Sequence, residues 1–157
     1  MGCCVKLSGN YRCFVFLNTS LCCLSEAEDG NLILGLAYMT PIMKKALSSN
    51  VKRVYFVAHH PLQNITSRED KALQELLRRF CNMHFFWLCG DAHENRNCSR
   101  DFIETHQVGS LTSYKTVIPD FSIYDIDDDV FSERIFHFLP HLNSTSSTPG
   151  GWKRVYI

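Results

Sequence analysis

The sequence predicts an α/β fold, and three observations carry that prediction. Two short apolar runs, Val54 to Ala58 and Phe85 to Cys89, are each bounded by turn-forming residues, as buried strands are. Between them Leu73, Leu76, Leu77 and Phe80 recur at i, i+3, i+4 and i+7, which is one face of a helix. A strand, a helix and a strand in that order form a crossover unit, in which the two strands run parallel and the helix buries its apolar stripe against the sheet.

The remaining elements follow in chain order. Residues 1–11 read as an untethered lead-in. Cys13 to Leu17 is a buried strand that closes on Asn18, Thr19 and Ser20. The polar stretch Ser25 to Asn31 is a loop with a turn at Asp29-Gly30, and Leu32 to Leu36 is a short apolar piece. Thr40 and Pro41 predict a helix start, Thr as the cap and Pro at the first helical position. That helix continues through Met43, Lys44 and Leu47 and stops near Ser49-Asn50. The strand Arg53–Ala58 comes next. Thr66 and Glu69 have the spacing of a capping box ahead of the amphipathic helix. Glu69 and Asp70 at its positive end and Arg78 and Arg79 at its negative end complement the helix dipole. After Phe85–Cys89 no further helical periodicity occurs. Phe102 to Val108, Phe121 to Asp127 and Ile135 to Leu139 read as strands, with Asp127-Asp128-Asp129 as a tight turn. One domain is expected over residues 1–142. Residues 143–157 are a flexible linker and tail, of which WKRVYI is either an edge strand or unstructured.

Composition narrows the function classes. The chain has 157 residues, 45% hydrophobic and 20% charged, which suits one ordinary globular domain. Sixteen basic residues balance sixteen acidic ones, and no Lys/Arg cluster is longer than a pair, so there is no clear nucleic-acid surface. No apolar stretch approaches the roughly 18 residues of a membrane span. The chain has eight cysteines, but its start, MGCCVKLSGNYRC, is polar and has no export-signal core. Cys13, Cys81 and Cys89 lie in or beside apolar runs, where a free thiol packs as a small hydrophobe. The expectation is a cytoplasmic, reducing setting.

Each of the two central runs ends in metal-binding residue types, His59-His60-Pro61 after the first and Gly90-Asp91-Ala92-His93 after the second. Open α/β sheets gather chemistry beyond the carboxyl ends of their strands. His59, Asp91 and His93 are therefore expected at one edge as candidate metal ligands. His84, Cys89, His93 and Cys98 also offer zinc-ligand types, but without a paired Cys-x-x-Cys. Glu94, Asn95 and Arg96 are either the rim of a phosphate site or solvated loop residues. His106, His137 and His141 read as surface or packing residues.

The stretches VAHHPL and LCGDAHEN resemble the calcineurin-like metallophosphoesterases. In that family a His, often written His-His-Pro, follows one apolar strand, and Gly-His-x-His follows the next. FVFLNTS, the intervening helix, VGSLTSY and DFSIYDID fit as well, so the likeness covers approximately residues 12–139. The resemblance implies part of a four-layer α/β/β/α sandwich, a mixed sheet with outer helices, and the C-terminal half of the family domain. It implies hydrolysis of a phosphate-ester substrate by two divalent ions (Mn, Fe or Zn), set roughly 3.5–4 Å apart around a shared hydroxide. His59 and Asp91 would bind the second metal and His93 the first, with His60 lining the cleft as the catalytic candidate. Asp91 stands where the family has the first His of Gly-His-x-His, and a carboxylate is a competent ligand for these metals. The family's earlier motifs, Asp-x-His, Gly-Asp-x-x-Asp and Gly-Asn-His, are absent. The expectation is a truncated domain without full activity, lacking an N-terminal half or self-associating through the sheet face that half would cover. The alternative is a non-catalytic remnant or binding module that keeps the fold.

Overall fold

Side chains alternate across a strand, and here that alternation sorts the sequence into layers. The computed structural model of the chain describes residues 4–6, 12–22, 30–111, 119–126, 131–139 and 151–155. Its elements are β1 (Cys4–Lys6), β2 (Arg12–Phe16), α1 (Leu36–Ser48), β3 (Arg53–Val57), α2 (Ser67–Arg78), β4 (His84–Cys89), β5 (Arg96–Arg100), β6 (Ile103–Gln107), β7 (Asp120–Ile126), β8 (Phe131–Leu139) and β9 (Gly151–Val155). The first sheet has the order β1-β2-β3-β4-β6-β5. Its four inner strands are parallel and its two edge strands antiparallel to their neighbours. This is the mixed sheet the sequence predicts. β7, β8 and β9 form a second, antiparallel sheet.

Val54 and Phe56 of β3 and Phe85 and Trp87 of β4 face one way and pack with Met39 and Met43 of α1 and Leu73 and Leu77 of α2. Tyr55 and Phe86 face the other way and stack at 4.9 Å, as Phe14 and Tyr55 do. Phe131 of β8 covers them, 5.9 Å from Tyr55 and 4.7 Å from Phe86. The layers among the described residues are therefore helix, sheet and sheet. A second helical layer, as in a four-layer sandwich, is not among them. Trp87, Tyr55 and Phe56 are fully buried, and each such side chain contributes on the order of 2–3 kcal/mol through apolar burial. Among the described residues, no helix is long and apolar enough to cross a membrane.

Several elements differ from the sequence prediction. α1 begins at Leu36, not at Thr40, and Pro41 lies inside it. Met39, Met43 and Ala46 are buried, so the apolar stripe extends N-terminal of the proline. Pro41 is exposed, and the carbonyl it leaves without a helical partner belongs to Ala37, also exposed. The far end is as expected: Asn50 takes a left-handed φ of 57° and the Val51 N–H reaches back to the Ala46 carbonyl at 3.2 Å. Only half of the predicted capping box forms. Thr66 Oγ1 accepts from the Glu69 N–H at 3.3 Å, but the Glu69 carboxylate turns to the N–H groups of Leu34 and Gly35 just ahead of α1. The Thr66 N–H is taken by the Leu32 carbonyl instead.

β1 pairs with β2 where the sequence suggests only a lead-in. β5 has five exposed residues, so no apolar pattern announces it. β8 starts at Phe131, earlier than Ile135, and the tail contributes β9 along β8. The Asp127–Asp129 turn and residues 143–150 lie outside the described residues.

Leu77 is fully buried beneath α2, so Leu77→Ala should lower unfolding stability by about 2–5 kcal/mol. Exposed Lys71→Ala on the same helix should stay within about 0.5 kcal/mol. Urea denaturation of the two variants tests the assignment of helix faces, and similar losses would contradict it.

Candidate metal centre

Val57 and Leu88 are register partners at the ends of parallel β3 and β4, so the residues after them emerge at one edge of the sheet. His59 Nε2 lies 3.3 Å from Asp91 Oδ1, with side chains 60% and 35% exposed. His60 is buried at 4% exposure, its ring edge-on to His59 with centroids 4.6 Å apart. One ligand atom from each of His59, His60 and Asp91 lies within 4.8 Å of the others. Among the described residues no other group of three or more His, Cys, Asp or Glu is so arranged.

The cluster is held by the strands around it. β2 is parallel to β3, so Thr19, just past its end, reaches the same edge. The His60 N–H donates to Thr19 Oγ1 at 3.3 Å, and that hydroxyl also meets His60 Nδ1 at 2.8 Å. Trp87 Nε1 donates to the His60 carbonyl at 3.1 Å, tying the turn to the middle of the core. The Gly90 N–H donates to the His59 carbonyl at 2.9 Å, which ties the two ligand-bearing turns together. Beyond Gly90 the chain takes positive φ at Asp91 (71°) and His93 (56°). Such a conformation costs about 1–2 kcal/mol in a residue with a Cβ, and strain of this kind concentrates at ligand-binding positions.

The structure brings together three of the four expected site residues. His93 is not in the ligand group, although its loop is anchored nearby. Gln107 Nε2 donates to the Glu94 carbonyl at 2.9 Å and Asn95 Nδ2 to Ser122 Oγ at 3.3 Å. Glu94 and Asn95 thus fasten the loop to β6 and β7. Nor do the zinc-ligand types at His84, Cys89, His93 and Cys98 form a group. Cys89 is buried, and burial first, then Cys98 and Asp91, push its thiol up to about 12.

Two imidazoles and one carboxylate suit Mn, Fe or Zn and leave coordination positions for water or an anion. Thr19 on Nδ1 orients the His60 ring as hydroxyl and carbonyl partners orient ligating histidines generally. A second ion would need donors that the described residues do not assemble here.

One polar cluster has no signature in the sequence reading. His106, expected as a surface or packing residue, is buried, with Nδ1 3.3 Å from Glu133 Oε2 and Nε2 2.9 Å from Glu104 Oε1. Glu133 also accepts from Ser122 Oγ at 2.6 Å and Asn97 Nδ2 at 2.7 Å. The only local hint is Glu104 and His106 two apart on one strand face. The rest depends on how the second sheet docks.

No protein-family model and no curated protein matches the sequence. Among solved structures, Vps29 from Chaetomium thermophilum is similar at 12% identity and a TM-score of 0.35, over 90% of this chain and 96% of that one. A single-mutant Vps29 from Entamoeba histolytica is similar at 10% identity and a TM-score of 0.29, over 90% and 97%.

Burial works against the charge of Glu133, but its hydrogen bonds from His106, Ser122 and Asn97 outweigh burial and hold the carboxyl down at about 2, below the ordinary 4.5. A depressed carboxylate stabilises the fold fully above its unfolded value, and that contribution fades as pH falls toward the folded one. The stability gap between wild type and Glu133→Gln should therefore narrow steadily as pH falls below the ordinary value of 4.5. Guanidinium titrations across that range check it. A gap that held its size down to about pH 3 would be the wrong result.

Proposed function

We propose that the chain is a non-catalytic binding module that holds one divalent cation, Mn, Fe or Zn, between His59, His60 and Asp91. The observation that carries this is the donor count. Three ligand atoms within 4.8 Å of one another suffice for one ion with open positions, and there is no second such group among the described residues. Two-metal hydrolysis, the reaction implied by the resemblance to metallophosphoesterases, needs two ions clamping one phosphate. That reading would also require His93 as a ligand and His60 as a catalytic group. In the binding reading the cation places a positive charge at the sheet edge and takes an oxygen of a phosphate or carboxylate. Thr19 and Trp87 keep the His60 ring and backbone in place without the ion. A cytoplasmic setting goes with this proposal: Cys13, Cys81, Cys89 and Cys98 are free thiols.

Two measurements test it. Zinc or manganese added at about 100 times its dissociation constant should stabilise the wild type by about 2.7 kcal/mol, with one ion per chain by mass spectrometry. Asp91→Gly removes the carboxylate at a backbone position where φ is 71°, which glycine adopts at no steric cost. The variant should fold at least as stably as wild type without metal and lose most of the metal-induced stabilisation. Stabilisation undiminished in Asp91→Gly, or two ions per chain, would overturn the assignment. With Mn²⁺ and bis(p-nitrophenyl) phosphate the chain should show no turnover above the metal blank. Chelator-sensitive turnover that His93→Ala abolishes would establish the hydrolase in its place.

A further inference from the structure

The loop that carries Asp91 holds a backbone conformation that must be kept in place. Asp91 and His93 take φ of 71° and 56°, and a left-handed residue with a Cβ persists only where its surroundings over-determine it. Asn95, two residues beyond His93, is one of the points that hold the loop. The sequence leaves Asn95 as either a rim residue or a solvated loop residue. In the structure its Nδ2 donates to Ser122 Oγ on β7 at 3.3 Å. Ser122 Oγ in turn donates to Glu133 Oε1 on β8 at 2.6 Å. A hydroxyl has one proton. Once that proton is given to a carboxylate, only lone pairs face the loop, and they take the NH2 side of the Asn95 amide. Glu133 is a fixed start for this relay. Its side chain is 8% exposed, and Asn97 Nδ2 at 2.7 Å and His106 Nδ1 at 3.3 Å hold its other oxygen.

We propose that Ser122 is the residue through which the second sheet positions Asp91 against His59, and so sets the affinity of the cluster for its cation. The positioning follows from the hydrogen bonds, and its effect on affinity rests on the cation assignment. The physical ground is pre-organisation. A loop freed from Ser122 relaxes toward ordinary backbone angles for part of the time. In those states Asp91 Oδ1 leaves its place 3.3 Å from His59 Nε2. A ligand set that is assembled only part of the time binds more weakly in proportion. Ser122 acts through Asn95, so it is a positioning residue and not a ligand.

Two readouts on the full chain test it together: Zn²⁺ affinity by isothermal titration calorimetry, and amide hydrogen exchange without metal. Ser122→Ala should weaken zinc binding about fivefold, the equivalent of one net hydrogen bond. It should also speed exchange of the Gly90 and Ala92 amides, which donate to the His59 and Gly90 carbonyls. Exchange within β3 and β4 should stay as in wild type, which separates a freed loop from a general loss of stability. Ser122→Thr keeps the hydroxyl and should restore both readouts. Asn95→Ala breaks the same bond from the loop, so the double variant should bind no more weakly than either single variant. Should Ser122→Ala fail to fold, Asn95→Ala alone provides both readouts. Unchanged affinity and exchange in Ser122→Ala, or losses in the two variants that add, overturn the relay and leave the cation assignment standing. A wild type that binds no zinc overturns the cation assignment. Loop exchange without metal then decides the positioning, which is overturned if Ser122→Ala leaves it unchanged.

Discussion

The in-register parallel pairing of β3 with β4 is the constraint on which the rest of the structure depends. Val57 opposite Leu88 sets the two strand ends level, and only then do the turns after them meet. A slip of β4 by one residue would send Phe85 and Trp87 to the wrong face and pull Asp91 away from His59. Burial enforces the register from both sides. Val54, Phe56, Phe85 and Trp87 are locked under the helices, and Tyr55 and Phe86 are stacked under Phe131. The inner strands need to be apolar on both faces for this to work, as buried parallel strands generally are.

Trp87 connects that core to the site. It is fully buried on the helix face, yet its indole N–H reaches the His60 carbonyl. The rigidity of the packed layer thereby passes to the turn that carries two of the three clustered residues. Thr19 performs the same office from β2 through its hydroxyl. The third member, Asp91, sits in the positive-φ loop after Gly90, held by Gln107 and Asn95. Glu133 stands behind those anchors: it gathers Ser122, Asn97 and His106 at the junction of the two sheets. The His59–His60–Asp91 cluster thus lies at one edge of the first sheet, with the second sheet bracing one side.

Much of this was legible in the residues, for physical reasons that differ by element. β3, α2 and β4 could be read because burial stamps a period on the sequence, and the turns after β3 and β4 could be read because Pro61 and Gly90 end the apolar runs. β5 was not legible: every residue of RNCSR is exposed, so pairing alone makes it a strand. The start of α1 was misread because Pro41 is a strong local signal for a first turn, and burial of Met39 outweighed it. Glu69 has the spacing of a capping box but finds better partners at Leu34 and Gly35. Asp91 and His93 are two residues apart and looked like a pair. Both take positive φ in the loop after Gly90, and of the two only Asp91 lies in the cluster with His59 and His60. The Glu133 network joins residues far apart in sequence, so no local pattern could have pointed to it.

The most direct test of the central claim is X-ray absorption at the zinc edge on the zinc-loaded chain. Two imidazoles and one carboxylate, with light-atom ligands at roughly 2.0–2.2 Å and no sulfur, are what the pairing of β3 and β4 delivers. A sulfur shell near 2.3 Å, a third imidazole, or a metal–metal vector at about 3.5–4 Å would contradict it.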